Sequence, residues 1–191
     1  MILVTGTPGV GKTAVSQSLA SKLKAIHIDL SKLVKQERLI SGVDKVRETL
    51  IVDMEKVSER VQDIIKSYEQ DIVIDGHYSM NVLPAKDVYL AFVLRRDPEE
   101  LKEIMENRGF SEKKLGENLA AEILDVCLWD AVRVCGANKV CEIDASGKTI
   151  EEVVEEIDAV LEKKRKCRVG IVDWLGKLEK EGRLDEFLKG F

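Results

Sequence analysis

The chain has 191 residues, of which 45% are hydrophobic and 34% charged, with a net charge of −5. That length suits one domain with a full apolar core. The acidic balance excludes a protein that coats nucleic acid by bulk electrostatics, so any RNA contact is expected to be local or indirect.

The first apolar run, Met1 to Val4, is too short for a signal peptide, and no later stretch is long enough to cross a bilayer. A cytoplasmic location without membrane contact is the expectation. Cysteines 127, 135, 141 and 167 form no CxxC pair and have no neighbouring histidine. They read as buried thiols rather than as a zinc site or a disulfide framework.

In chain order, the first predicted strand is Met1 to Thr5, and it runs into Gly6-Thr7-Pro8-Gly9-Val10-Gly11-Lys12-Thr13. This segment matches G-x-x-x-x-G-K-[ST] where the mechanism requires it, after a hydrophobic strand and before a helix, Lys12 to Lys24. The glycines let backbone N–H groups converge on phosphate oxygens, and the positive end of the helix faces the same anion. Lys12 is predicted to reach the β- and γ-phosphates of ATP, and the Thr13 hydroxyl to join the Mg²⁺ shell.

A second strand, Ala25 to Ile28, follows; His27 within it reads as a packed or surface residue on the face away from the phosphates. The forty or so residues from Asp29 to Gln70 are too many for a plain crossover and suggest an inserted helical lobe. The third strand, Ile72 to Asp75, closes on an acid beside the phosphate loop at the carboxyl edge of the sheet. Asp75 is placed to hold a metal-bound water or to orient the nucleophile, and His77, two residues later, to position a water or an acceptor oxygen.

The fourth strand, Val88 to Leu94, leads into Arg95 and Arg96, and Asp97 with Pro98 opens a helix from Glu99 to Arg108. Phosphoryl transfer needs cations near the transferring group. Arg108 is the favoured candidate because it begins a small lid, Arg108-Gly109-Phe110-Ser111-Glu112-Lys113-Lys114-Leu115, while Arg95 and Arg96 stay open as alternatives. Ser111 to Cys135 reads as one long helix ended by Gly136. The fifth strand is Lys139 to Ile143, and Thr149 with Glu152 forms a capping box for the last long helix. The tail from Cys167 to Phe191 carries an apolar stripe expected to pack on the core as one or two short helices. Strands alternating with helical segments in this way describe an α/β fold, a five-stranded parallel sheet with helices on both faces.

The phosphate loop, Ile74-Asp75-Gly76-His77, Val93-Leu94-Arg95, and above all Arg108-Gly109-Phe110-Ser111-Glu112-Lys113-Lys114-Leu115 with Asn118 and Glu122, resemble the adenylate kinase isoenzyme six family of ribosome-biogenesis ATPases. The resemblance covers about residues 1 to 165. It implies a P-loop nucleoside-monophosphate-kinase fold, with a monophosphate lobe at about 29–52, a short lid at about 108–118 and a C-terminal helical extension, 166–191, beyond the matched part. It implies both adenylate kinase and ATPase activity, with Mg²⁺ and ATP, and a role in small-subunit rRNA maturation through a uS11-type ribosomal protein. Carried over, ATP would contact Gly9, Gly11, Lys12, Thr13, Ala14 and Arg108, with Lys148 near the adenine. Asp75 and His77 would match the family's hydrolytic acid and histidine.

Gly76 departs from the bulkier residue of relatives, and Lys35, Arg38 and Arg47 are equal candidates for the acceptor phosphate. Two other readings stay open. One is an assembly-factor ATPase with water as main acceptor; the other is a small-metabolite P-loop kinase.

Overall fold

The computed structural model describes residues 1–44, 49–76 and 79–188. In chain order the strands are β1 (Ile2–Thr5), β2 (Ile26–Asp29), β3 (Ile40–Asp44), β4 (Thr49–Val52), β5 (Ile72–Asp75), β6 (Leu90–Arg95) and β7 (Val140–Asp144). The helices are α1 (Lys12–Leu23), α2 (Leu30–Glu37), α3 (Met54–Ser67), α4 (Ser79–Val82), α5 (Pro98–Asn107), α6 (Glu112–Ile123), α7 (Val126–Cys135), α8 (Ile150–Leu161), α9 (Trp174–Lys180) and α10 (Leu184–Leu188).

The five expected strands form one parallel sheet in the order β2-β5-β1-β6-β7. Their apolar residues alternate between two cores because successive side chains point to opposite faces. Ile2, Val4, Val73, Phe92 and Leu94 pack on one face with residues of α1, α5, α6 and α8. Leu3, Ile72, Ile74, Ala91 and Val93 pack on the other with residues of α2, α3, α4 and α7. Helices therefore cover both faces, as near-continuous apolar strands require. The register sets Val4 opposite Asp75 and Thr5 opposite Val93, so the carboxyl ends of β1, β5 and β6 share one edge.

The inserted segment differs from a purely helical lobe. Between α2 and α3 it holds an antiparallel hairpin, β3 with β4, pairing Ile40 with Val52 and Val43 with Leu50. The expected single helix from Ser111 to Cys135 is two helices. Asp125 breaks it with a φ of 58°, a left-handed conformation that Asp tolerates better than most residues. Its carboxylate is held 2.5 Å from the Arg95 guanidinium, which anchors the break.

The cysteines also need correction. Cys141 on β7 and Cys167 in the tail are joined in a disulfide, with Cα atoms 4.8 Å apart, while Cys127 and Cys135 are free thiols. The separation of 26 residues left no local spacing signal to read. Beyond the disulfide, Trp174, Leu178 and Phe187 enter the core beside α5 and α6 residues. Burying each such side chain contributes about 1.5–3 kcal/mol before the entropy of ordering the tail.

Candidate active site

The loop after β1 owes its path to its glycines. A Cβ on Gly6, which has φ +139°, would lie 2.4 Å from the Leu94 carbonyl oxygen, so no other residue fits that turn. Gly11, with φ +102°, is the N-cap of α1 and contributes no side-chain cap. α2, α3, α5, α6 and α8 are capped by Asp29, Asp53, Asp97, Ser111 and Thr149. The first-turn amides of α1, including Ala14, thus keep donors available to an anion.

Lys12 folds over this loop, its ammonium donating to the carbonyls of Gly6 at 2.8 Å and Thr7 at 2.9 Å. Burial pushes the Lys12 pKa down to about 8, although the negative charges around it act in the opposite direction. An ammonium held out of water in this way gains most from an incoming anion.

At the end of β5, Asp75 is 2% exposed and accepts from the Thr13 hydroxyl at 2.7 Å. Its second oxygen lies 2.6 Å from His27 Nε2. His27 therefore does not face away from the phosphates, as expected from its strand, but braces the acid. That contact depends on β2 pairing directly with β5, with His27 opposite Val73 and Asp29 opposite Asp75. His77 lies outside the described residues. Gly76 is tight: a Cβ there would sit 3.1 Å from Leu30, which fills the space a bulkier residue would take.

The structure removes Arg95 from the list of mobile cations. It is 1% exposed, with Nε 2.8 Å from Glu122, Nη1 2.5 Å from Glu142 and Nη2 2.5 Å from Asp125. Burial alone would lower its pKa, but these carboxylates raise it above the ordinary guanidinium value. Arg96 is engaged by Glu100 at 2.8 Å. Arg108, by contrast, is exposed at the C-terminus of α5. The segment expected as a lid is a single turn through Gly109, φ +70°, and Phe110 to the Ser111 cap of α6. Lys148 points away toward α8, with Nζ 2.7 Å from the Asp144 carbonyl and 2.6 Å from Glu156.

Sequence reading gave Glu122 no role beyond the resemblance, yet it is a hub. One oxygen accepts from the buried Thr7 hydroxyl at 2.5 Å, and the other from Arg95, Arg96 N and Trp174. Its partners lie on three separate segments, which is why no local motif marks it.

Against known proteins, residues 2–125 match the family model described as "AAA domain". A protein of Methanocaldococcus jannaschii named "Putative adenylate kinase" is 40% identical over 92% of this chain and 93% of its own. The chain belongs to that adenylate kinase-like P-loop family. A relative of the same name from Thermococcus kodakarensis is 41% identical over 91% of this chain and 92% of its own. In solved structures the same fold recurs at low identity. The shikimate kinase of Acinetobacter baumannii, in complex with shikimate, has a TM-score of 0.61 at 14% identity, covering 86% of this chain and 93% of its own. The shikimate kinase of Bacteroides thetaiotaomicron has a TM-score of 0.59 at 17% identity, covering 84% of this chain and 97% of its own. Among the described residues no helix is long and apolar enough to cross a membrane.

Proposed function

We propose that this chain transfers the γ-phosphoryl group of Mg-ATP to a nucleoside monophosphate, AMP in the first instance, giving two ADP. The observation that carries the reading is the joining of two motifs by one contact, the Thr13 hydroxyl on Asp75 at 2.7 Å, at the mouth of a glycine-built anion cradle. In support, the relatives that match across almost the whole chain are named for this activity.

In this reading the amides of Gly9, Gly11, Lys12, Thr13 and Ala14 cradle the phosphates, Lys12 neutralises the β- and γ-oxygens, and Arg108 reaches over from the lid, about residues 108–118. Thr13 and Asp75 offer the hard oxygen donors that suit Mg²⁺, which supplies charge neutralisation at the transferring group. His77 is assigned to position a water or the acceptor oxygen. The lobe at about 29–52 takes the monophosphate, with the exposed Lys35 and Arg38 available for its phosphate; Arg47 lies outside the described residues. Lys148 belongs to the loop assigned to the adenine, where its ammonium is engaged by Glu156 and the neighbouring Gly147 amide by Glu100.

A second reading rests on the lid. One short turn shields the γ-phosphate poorly from water, which favours hydrolysis in service of assembly. The resemblance to ribosome-biogenesis ATPases supplies the partner class, a uS11-type ribosomal protein, and the process, small-subunit rRNA maturation.

The test is ADP formation from Mg-ATP with AMP, CMP, GMP, UMP, shikimate or no acceptor. A many-fold rise with AMP is expected. A rate indifferent to every acceptor but raised by a uS11-type protein would replace the kinase reading with the hydrolytic one.

A further inference from the structure

Residues 168–188 run from β7 back to α5 and α6. The disulfide fixes the start of this segment to β7, and Ile171 N donates to the buried Glu142 at 2.7 Å. From there α9 makes two polar contacts that lead to opposite ends of the nucleotide site.

The first runs through Trp174, 8% exposed, whose indole N–H donates to Glu122 Oε1 at 3.2 Å. The other Glu122 oxygen holds the hydroxyl of Thr7, and the Thr7 carbonyl is where Lys12 rests at 2.9 Å. The second runs through Lys177, whose ammonium lies 2.6 Å from Asp97 Oδ2. The amide of Asp97 donates to Ser146 Oγ at 2.8 Å, and Ser146 belongs to the loop after β7 whose Gly147 amide reaches Glu100. One helix thus braces the phosphate loop on one side and the loop after the last strand on the other.

We infer that Trp174 and Lys177 are positioning residues for ATP, so that the C-terminal segment is a working part of the nucleotide site rather than only a cover on the core. The inference rests on the assignment of Gly6 to Thr13 as the ATP cradle. Neither side chain lies among the groups assigned to touch nucleotide; each acts through a residue that shapes a loop. The consequence is directional. Loosening α9 lets both loops drift and weakens ATP binding, whereas the transferring groups, Lys12, Thr13 and Asp75, stay in place once ATP is bound, and the monophosphate lobe is untouched.

The test compares the full chain with Trp174→Phe, which keeps an aromatic ring but loses the N–H donor, with Lys177→Met, and with both together. Lys177→Met sits on a side chain 39% exposed, so it does not endanger the fold. The expected result for the double variant is a rise of about tenfold in both the directly titrated Kd for Mg-ATP and the KM for ATP. The kcat at saturating ATP and the KM for AMP should stay within about twofold of wild type, a split that a general loss of structure does not produce. Lys177→Arg, which preserves the ion pair, should bind ATP as wild type does. A double variant that melts earlier yet keeps its ATP Kd and KM would overturn the inference and leave the tail a structural cover. A wild-type chain that binds Mg-ATP but ignores AMP would sink the kinase reading and leave this inference standing on the Kd alone. A wild-type chain that binds no ATP would end both.

Discussion

Asp75→Asn is expected to lower kcat by about 10²–10³-fold, the scale of losing one preorganised electrostatic group at a reacting centre. It should also shift half-maximal activity to higher Mg²⁺. The substitution keeps the shape of a side chain that is 2% exposed, and it keeps an oxygen for the Thr13 hydroxyl. What it removes is the negative charge that a metal at Thr13 would face. The melting temperature should move little, which separates this effect from unfolding. A Mg²⁺ titration of initial rates checks it, and an Asn variant with wild-type kcat and Mg²⁺ dependence would remove Asp75 from the site. His27, at 2.6 Å from the same carboxylate, orients the acid.

Arg95→Met should act on stability. It leaves Glu122, Glu142 and Asp125 facing one another without the guanidinium that now holds all three. Breaking a buried ion network by removing one partner costs about 3–5 kcal/mol, because the remaining charges stay out of water. In a chain of this size that corresponds to a fall in melting temperature of about 6–20 °C. Thermal unfolding measured without nucleotide is the check. An Arg95→Met chain that melts like wild type but has lost phosphoryl transfer would return Arg95 to the catalytic cations and contradict the buried-network account.

These two residues also mark where the sequence is and is not legible. The phosphate loop, the five strands and the caps at Asp97 and Thr149 are local patterns: a glycine spacing, an apolar run, a capping box. Local physics fixes such features, so they can be read before any fold is known. The strand-end acid Asp75 is legible for the same reason.

Arg95 ends a strand at the active edge, as a catalytic arginine would, and only the folded chain shows that Glu122 and Glu142, 27 and 47 residues away, have claimed it. His27 needed the knowledge that β2 pairs with β5. The break at Asp125 is tertiary too, since a carboxylate drawn to Arg95 overrides a helical periodicity that continues on both sides. The disulfide escaped for the same reason, since the fold and not the spacing brings its partners together, whereas the hairpin is local but its strands of five and four residues form a sheet of their own.

The most direct measurement of the central claim, that Gly6 to Thr13 forms the Mg-ATP site, is calorimetric titration of Mg-ATP into the wild-type chain and a Lys12→Ala variant. The prediction is one Mg-ATP per wild-type chain and binding weakened by about tenfold to a hundredfold in the variant, the cost of losing a charge-assisted contact to phosphate. Equal affinity in the two chains, or no binding to the wild type, would contradict the account.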